Sequence, residues 1–282
     1  MIQQWQDVYK VERMAKVLGV SRSGYYAFQG RGSNQQVQDQ ERLLERIKKI
    51  HQESRGLYGS PRIHAVLKAQ GETCSRPRVA RLMKSAGIAA YRKKPWKVTT
   101  QPKAGRPCFP NLVARDFKVL EPNTVWVGDI TYIGTLEGWL YLAIVLDLFS
   151  RRIVGMAMSD RLKTPLVLDA LRQALRQRKG RDDVIHHSDR GAQYTSDAFG
   201  VFATSQGVRL SMSETGNCYD NAVAESFFHT LKTELVHQTK FRTREEARIA
   251  IFEYVEVFYN RKRIHSTLGY VTPDAFEQSR VK

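Results

Sequence analysis

Cysteine is scarce in this chain of 282 residues, and its few copies form no recognisable pattern. Cys74, Cys108 and Cys218 have no CxxC spacing, and their odd number argues against a disulfide framework. The seven histidines do not stand at zinc-ligand spacing from the cysteines. Because the start of the chain also shows no secretory signal, we expect a protein of the reducing cytosol without a zinc module.

Long apolar runs are missing as well. No segment has the length and apolar character of a membrane-spanning helix, and the sequence contains neither an amphipathic anchor nor a lipidation motif. We therefore expect no membrane partner.

Acidic residues are rare in the first part of the chain. Residues 1–118 contain 24 Lys and Arg against 8 Asp and Glu, a net charge of +16, whereas residues 119–282 contain 21 against 20, a net charge of +1. The hydrophobic content of 42% is ordinary for a globular protein, but this charge distribution is not. It indicates a polyanionic partner, because Lys and Arg release condensed counterions when they meet phosphates.

Three acidic residues interrupt or end segments that otherwise look buried. Asp129 lies within the apolar run VWVGDITYI, Asp189 follows the run VIHHS, and Glu225 lies on an expected helix. Asp189 comes sixty positions after Asp129, and 35 positions separate Asp189 from Glu225.

Buried like charges need a reason. An unpaired buried charge costs several kcal/mol, and neighbouring carboxylates also repel each other unless a cation neutralises them. Hard divalent ions bind oxygen ligands, and two such ions roughly 3.5–4 Å apart support phosphodiester chemistry. The alternative is that the two aspartates cap strand ends and that Glu225 is a surface charge of its helix.

Five sequence blocks, in order and spread over more than half of the chain, carry a family resemblance. They are WVGDITYI at 126–133, LDLFSR at 146–151, HSDRGAQYTS at 187–196, YDNAVAESFFHTLKTE at 219–234 and YNRKRIHSTLGYVTP at 259–273. The chain resembles the integrase core of D,D(35)E transposases and retroviral integrases, and more closely the OrfB-type transposase of the bacterial insertion-sequence-three family. The resemblance implies that Asp129, Asp189 and Glu225 are catalytic and bind Mg²⁺ or, as a substitute, Mn²⁺, with two ions in the site.

A basic residue seven positions after the glutamate belongs to the same family pattern, and Lys232 supplies it. Seven residues are nearly two helical turns, so Glu225 and Lys232 share a helix face about 10 Å apart. A separate apolar stripe recurs every four residues and consists of Val223, Phe227, Leu231 and Leu235. We interpret Lys232 as a phosphate contact, and a solvated lysine is the alternative.

Short helices predict two helix-turn-helix modules ahead of the acidic residues. The first pair consists of a helix from Val11 to Leu18 and a helix that begins at Ser21. The helices of the second pair begin at Ser60-Pro61 and at Ser75. The last of these helices has a basic outer face, for which a solvated surface is the alternative to DNA contact. The residues predicted to contact DNA there and in the linker are Arg78, Arg81, Lys84, Arg92, Lys93 and Lys94. In the catalytic region they are Arg190, Asn221 and Lys232.

Four prolines between Tyr91 and Asn111 predict an extended basic linker, or a simple spacer, and after it strands and helices alternate. The predicted order β-β-β-α-β-α-β-α, with a turn at 134–138, is that of a ribonuclease-H-like integrase core. The fold class is therefore α/β, a mixed five-stranded sheet with flanking helices preceded by small all-α helix-turn-helix modules. The predicted domains are 1–37, 38–94 (both helix-turn-helix-like), 95–118 (linker), 119–240 (core) and 241–282 (extension).

Several other polar residues receive structural roles. We expect Asp147 to cap a turn, and His186 and His187 to lie half-buried beside the active site. Glu234 would break the 35-residue interval if it replaced Glu225. The C-terminal extension should be a helix and an extended segment packed on the core, with a possible DNA-facing edge.

The resulting hypothesis is a DDE transposase that cuts and joins DNA at the ends of an insertion sequence. The resemblance implies that it acts as an oligomer on inverted repeats and target DNA, together with an upstream-frame DNA-binding protein or fused to it. We expect it in the bacterial cytoplasm, associated with the nucleoid. The alternatives are a non-catalytic DNA-binding regulator and a ribonuclease-H-like nuclease that does not join strands.

Overall fold

A computed structural model of the chain describes six stretches, residues 1–29, 35–91, 109–113, 119–178, 183–213 and 222–280. The chain forms two compact units, Met1–Ala90 and Tyr91–Lys282. The sequence predictions for Arg92, Lys93, Lys94 and Asn221 lie outside the described residues. Within these stretches no helix is both long enough and apolar enough to cross a bilayer.

The first unit is helical where it is described. Its helices are α1 (Ile2–Trp5), α2 (Val11–Val17), α3 (Arg22–Gln29), α4 (Gln35–Glu53), α5 (Ser60–Ala69) and α6 (Arg76–Ser85). Helix α1 was not predicted, whereas the other short helices begin close to their expected starts. Helix α6 begins after Ser75, whose side chain accepts the backbone N–H of Arg78 as an N-cap. Val79 and Met83 of its apolar stripe are buried, and α4, α5 and α6 pack together.

The second unit is built on one sheet. Its elements are β1 (Val125–Thr135), β2 (Gly138–Asp147), β3 (Ile153–Ser159), α7 (Thr164–Gln177), β4 (Ile185–Ser188), α8 (Asp197–Ser205), β5 (Arg209–Met212), α9 (Ala222–Glu234), α10 (Arg244–Glu253), a π-helical segment (Tyr254–Tyr259) and α11 (Pro273–Gln278), with short 3-10 turns at Val236–Gln238 and Ser266–Leu268. The strand order is β3-β2-β1-β4-β5. β1, β2 and β3 form an antiparallel meander, and β4 and β5 join it in parallel. The predicted mixed five-stranded sheet with flanking helices is confirmed.

The β1–β2 hairpin is tighter than the sequence predicted. A turn was expected over 134–138, but strand pairing continues to Thr135 opposite Gly138 and leaves only Leu136 and Glu137 as the turn. Gly138 adopts a φ of +108°, which an L side chain rarely tolerates, and this lets the chain reverse in so few residues.

Helices cover strand β2 because most of its buried residues are apolar. β2 is buried over residues 142–147, with α7 packed on β2 and β3 and α10 packed on β1 and β2. Helix α7 approaches β3 closely at Gly155, where a Cβ atom would lie 2.2 Å from the carbonyl oxygen of Ala170. Only glycine fits at this position without movement of the helix.

The C-terminal extension is more helical than predicted. Arg263, in its basic stretch, is buried and therefore does not belong to a DNA-facing edge. Asn260 accepts the N–H of Ile153 at 3.0 Å and donates to its carbonyl at 3.1 Å, which fixes the extension to β3. Arg263 is buried and donates to both carboxylate oxygens of Glu234 at 2.8–3.1 Å. The hydroxyl of Tyr254 donates to the same carboxylate at 2.7 Å. We call Glu234, Tyr254 and Arg263 the C-terminal latch.

Candidate active site

The register of two parallel strands sets the positions of Asp129 and Asp189. Val127 of β1 pairs with His187 of β4, and the pairing described for these strands ends there. Asp129 lies two residues after Val127, and Asp189 lies two residues after His187. Both carboxylates therefore stand at the same level beyond the paired ends of neighbouring parallel strands, where open α/β sheets form crevices.

Asp129 and Asp189 line one cleft of about 190 Å³. Its other lining residues are Ile130, Thr131, Tyr132, Tyr141, Leu162, Gly191, Gln193 and Tyr194. Each carboxylate is oriented by a backbone N–H: Ile130 donates to Asp129 at 2.7 Å, and Gly191 donates to Asp189 at 2.9 Å. The two side chains predicted to act together are thus brought together.

Desolvation by the surrounding protein perturbs both aspartates, and like charge adds to this effect at Asp129. Burial, together with the charges of Asp189 and Glu225, raises the pKa of Asp129 to about 8, while the Ile130 N–H and Lys232 oppose the shift. Burial also raises the pKa of Asp189, opposed by its bond from Gly191. A cation in the cleft would reverse this effect, because it favours the ionised carboxylates.

Glu225, on α9, does not line the cleft, but its charge contributes to the raised pKa of Asp129. It lies near the beginning of the helix and is exposed on the surface, where partial desolvation by neighbouring protein atoms raises its pKa. Across the stretches that the structure describes, no three His, Cys, Asp or Glu side chains stand close enough to form a metal-binding group. Residues 214–221, just before α9, fall outside these stretches.

Lys232 lies on the same helix as Glu225 and beside the cleft. Its ammonium group stands 5.1 Å from the centre of the Tyr132 ring, and it is electrostatically coupled to Asp129. Burial lowers its pKa, and the charge of Asp129 opposes that shift. Phe227 and Leu231 of the predicted stripe are buried, which confirms the side of α9 that faces the core.

The two histidines of the motif are not half-buried, as the sequence suggested, but fully buried. His186 packs on Phe199 and Tyr194 and lies against Gly128, where a Cβ atom would be 2.6 Å from the imidazole ring. Burial lowers the pKa of His186 to about 3, so the ring is neutral. His187 shares a hydrogen bond of 2.8 Å with the hydroxyl of Ser211. Glycine at position 128 makes room for a ring that the sequence pattern alone predicted to be half-buried.

Asp147 has the structural role that was predicted. Its carboxylate accepts the backbone N–H groups of Asn123 at 2.8 Å and Phe149 at 2.9 Å, and it is fully buried. Glu234, the other acid considered for the triad, belongs to the C-terminal latch.

Tyrosines of the cleft were not identified from the sequence. Tyr194 is buried, and burial together with the charges of Asp129 and Asp189 raises its pKa well above the ordinary value. It lies within the HSDRGAQYTS block, five residues after Asp189, so the block itself carried the signal. Tyr132, three residues after Asp129, likewise lies within the WVGDITYI block, but its exposure depends on where β4 stops pairing with β1, which the block does not show.

Basic residues predicted to bind DNA are placed as follows. On α6, Arg81 and Lys84 are exposed and Arg78 is half-buried. Arg190 is exposed beside the cleft, and its Nε donates to the carbonyl of Ser213 at 2.9 Å.

Comparison with known proteins agrees with this architecture. Family models described as an integrase core domain match residues 120–218 and 225–281, and a model described as an HTH-like domain matches residues 38–96. The transposase InsF of insertion sequence IS3A from Escherichia coli K12 is 40% identical over 278 residues, which cover 98% of this chain and 96% of that protein. This chain belongs to the IS3 family of transposases. The resemblance stated from the sequence blocks is confirmed.

Other relatives have similar lengths. The transposase for IS904 from Lactococcus lactis is 44% identical over 248 residues, 88% of this IS3-family chain and 98% of that protein. The insertion element IS600 uncharacterized 31 kDa protein from Shigella sonnei is 43% identical over 265 residues, covering 94% and 97% of the two chains.

Two solved structures are also similar. A chain of the simian T-cell lymphotropic virus intasome is 18% identical, with a TM-score of 0.48 over 82% of this IS3-family chain and 74% of that chain. The HTLV-2 integrase catalytic core domain in complex with magnesium is 17% identical, with a TM-score of 0.43 over 56% and 98% of the two chains.

Proposed function

We propose that this IS3-family transposase cleaves and joins DNA strands by metal-dependent DDE chemistry at the ends of its insertion sequence. One observation carries the proposal. Asp129 and Asp189 stand at the same level on neighbouring parallel strands and line one cleft, where desolvation by the surrounding protein disfavours their ionised forms. The ends of parallel strands are where such folds place reactive groups.

The donor set fits a hard divalent cation. Carboxylate oxygens are the ligands that Mg²⁺ and Mn²⁺ prefer, and the raised pKa of Asp129 reflects burial and, after it, repulsion by neighbouring carboxylates, both of which a cation would offset. Asp129, Asp189 and Glu225 would together bind two metal ions. When bound, Mg²⁺ supplies charge neutralisation at the attacking and leaving oxygens of a phosphodiester.

The side chains around the cleft would orient the substrate. Lys232 lies beside Tyr132 and is electrostatically coupled to Asp129, which supports a role in contacting a phosphate oxygen. Gly191 fixes Asp189 through its N–H, and the buried ring of Tyr194 closes the inner wall of the cleft. Water attacks phosphorus first and releases a 3′-hydroxyl, and that hydroxyl then attacks a target phosphodiester, so that one P–O bond forms and one breaks in each step.

The DNA partners are the inverted repeats of the element and the target DNA. The HTH-like match supports contact through the first unit, where Arg78, Arg81 and Lys84 lie on α6. Beside the cleft, Arg190 and Lys232 are proposed DNA contacts. Arg92, Lys93, Lys94 and Asn221 remain predictions. We further propose a homo-oligomer on DNA, an upstream-frame DNA-binding partner or fusion, and a cytoplasmic location at the nucleoid.

The test is the Asp189→Asn variant, with Asp183→Asn as the matched control because Asp183 is exposed. We expect Asp189→Asn to abolish Mg²⁺-dependent strand transfer and to weaken Mg²⁺ binding measured by calorimetry, while DNA binding persists and the control behaves as wild type. Unchanged transfer in Asp189→Asn would exclude the triad. Wild-type protein that binds DNA without reacting would indicate the regulator, and cut ends without joined strands would indicate the nuclease.

A further inference from the structure

Two exposed aromatic rings stand at the edge of the cleft. Tyr132 is 56% exposed and Trp139 is 53% exposed, which is unusual for large rings on the central hairpin of a sheet. Their centres are 4.9 Å apart, and their planes are nearly perpendicular at 81°. We call Tyr132 and Trp139 the aromatic platform.

The sheet register assembles this platform. Tyr132 pairs with Tyr141, and Gly134 pairs with Trp139, so Trp139 is the diagonal neighbour of Tyr132 across the strands. A Cβ atom at Gly134 would meet the Trp139 ring at 3.5 Å, so the indole lies close to backbone that has no side chain. Trp139 is further fixed by its carbonyl, which accepts the Nε–H of Arg244 at 3.1 Å.

The platform continues into the catalytic cleft. Tyr132 lines the same cleft as Asp129 and Asp189. Lys232 lies 5.1 Å from the centre of the Tyr132 ring, so a cation, an exposed ring and the carboxylates are adjacent. This combination of positive charge and exposed aromatic faces is the one by which proteins bind unpaired nucleotides.

The size of the cleft indicates a role for the aromatic platform. Asp129 is half-buried and lines a cleft of only about 190 Å³, so a phosphate would reach it more easily once its nucleotide has left the stack of a regular duplex. Enzymes that reach recessed groups in a duplex unstack a nucleotide, which costs a few kcal/mol, and stacking on an aromatic side chain offsets that loss.

We propose that the aromatic platform is a nucleobase-stacking subsite, in which Tyr132 receives an unstacked base of the DNA strand whose phosphate enters the cleft. The placement of that phosphate rests on the proposed function. The competing explanation is that the aromatic pair only stabilises the β1–β2 hairpin.

Equilibrium binding by the full chain, in buffer with EDTA, separates these explanations. The probe is a short duplex with a few unpaired nucleotides at one 3′ end, one of them 2-aminopurine, and the comparison probe is the fully paired duplex. We expect Tyr132→Ala to weaken binding of the frayed probe about tenfold and to leave binding of the paired duplex unchanged. Wild type should quench 2-aminopurine by stacking, Tyr132→Phe should retain the quenching, and Tyr132→Ala should lose it.

A purely structural role predicts different results. Equal losses on both probes, a Tyr132→Phe variant that behaves like Tyr132→Ala, or no quenching by wild type would each overturn the proposal. If Tyr132→Ala lowers thermal stability, the variant is replaced by a modified probe that has abasic sites at the unpaired positions and is tested with wild-type protein. If wild type binds this abasic probe as tightly as the frayed probe, base stacking is refuted. No strand is cut in these binding measurements. If wild type quenches 2-aminopurine but shows no strand transfer in a separate assay, the proposed chemistry is refuted and the stacking subsite is not.

Discussion

Breaking the C-terminal latch should strongly destabilise the second unit. The Arg263 and Glu234 side chains are only 6% and 9% exposed, and they are joined by several hydrogen bonds to both carboxylate oxygens. Arg263→Ala leaves the Glu234 carboxylate buried without its guanidinium partner. Removal of one member of a buried pair costs about 3–5 kcal/mol, so we expect a fall in Tm of about 6–20 °C.

The assay is urea unfolding followed by tryptophan fluorescence, since Trp126 is fully buried in the same unit. Arg209→Ala is the matched control, because Arg209 and Asp183 form an exposed pair with side chains 49% and 68% exposed. Such a pair contributes less than about 1 kcal/mol.

A double variant tests the cause of the loss. Glu234→Gln combined with Arg263→Met removes both charges while keeping an acceptor for the hydroxyl of Tyr254. It should lose less stability than Arg263→Ala alone, because no buried charge remains without its counter-ion. The reasoning is refuted if Arg263→Ala and Arg209→Ala have the same free energy of unfolding, or if the double variant is less stable than the single one.

Two further predictions concern the stability of the second unit. The pKa of Asp129 is raised from 3.8 to about 8, so between these values the folded state holds a proton that the unfolded state has lost, and stability falls as pH rises. Asp129→Asn should therefore stabilise the metal-free protein at pH 8 by about 1–3 kcal/mol and have no effect below about pH 4. Urea unfolding at the two pH values tests this, and an equal effect at both would contradict it. Gly155→Ala should destabilise by about 1–3 kcal/mol or more, because its methyl group would overlap the Ala170 carbonyl, and a wild-type melting curve would show that α7 moves freely.

The order of strands and helices could be predicted because it depends on local patterns. Apolar runs and turn residues mark each strand, and the 35-residue interval predicts Asp189 and Glu225 as catalytic residues. The latch could not be predicted, because Glu234 and Arg263 are 29 residues apart and nothing local marks them as partners. The sequence therefore indicated only a possible DNA-facing edge for the extension that contains Arg263.

Positions that depend on a neighbouring strand were also missed. His186 looked half-exposed, but its burial depends on the absence of a side chain at Gly128 on the adjacent strand. The turn between β1 and β2 was predicted too long, since the positive φ of Gly138 allows pairing to continue almost to the tip. Local sequence describes what one strand prefers, whereas its exact limits depend on the strand beside it.

The attachment of Asn260 to β3 has a consequence for how the protein is made. Asn260 and Ile153 are 107 positions apart, so a ribosome synthesises the strand long before the amide that fixes it. Until translation has passed Arg263, Glu234 also has no guanidinium to neutralise it. Translation products that stop before Asn260 therefore lack the contacts that attach the extension to the sheet, and we expect proteases to degrade them faster than chains that include it.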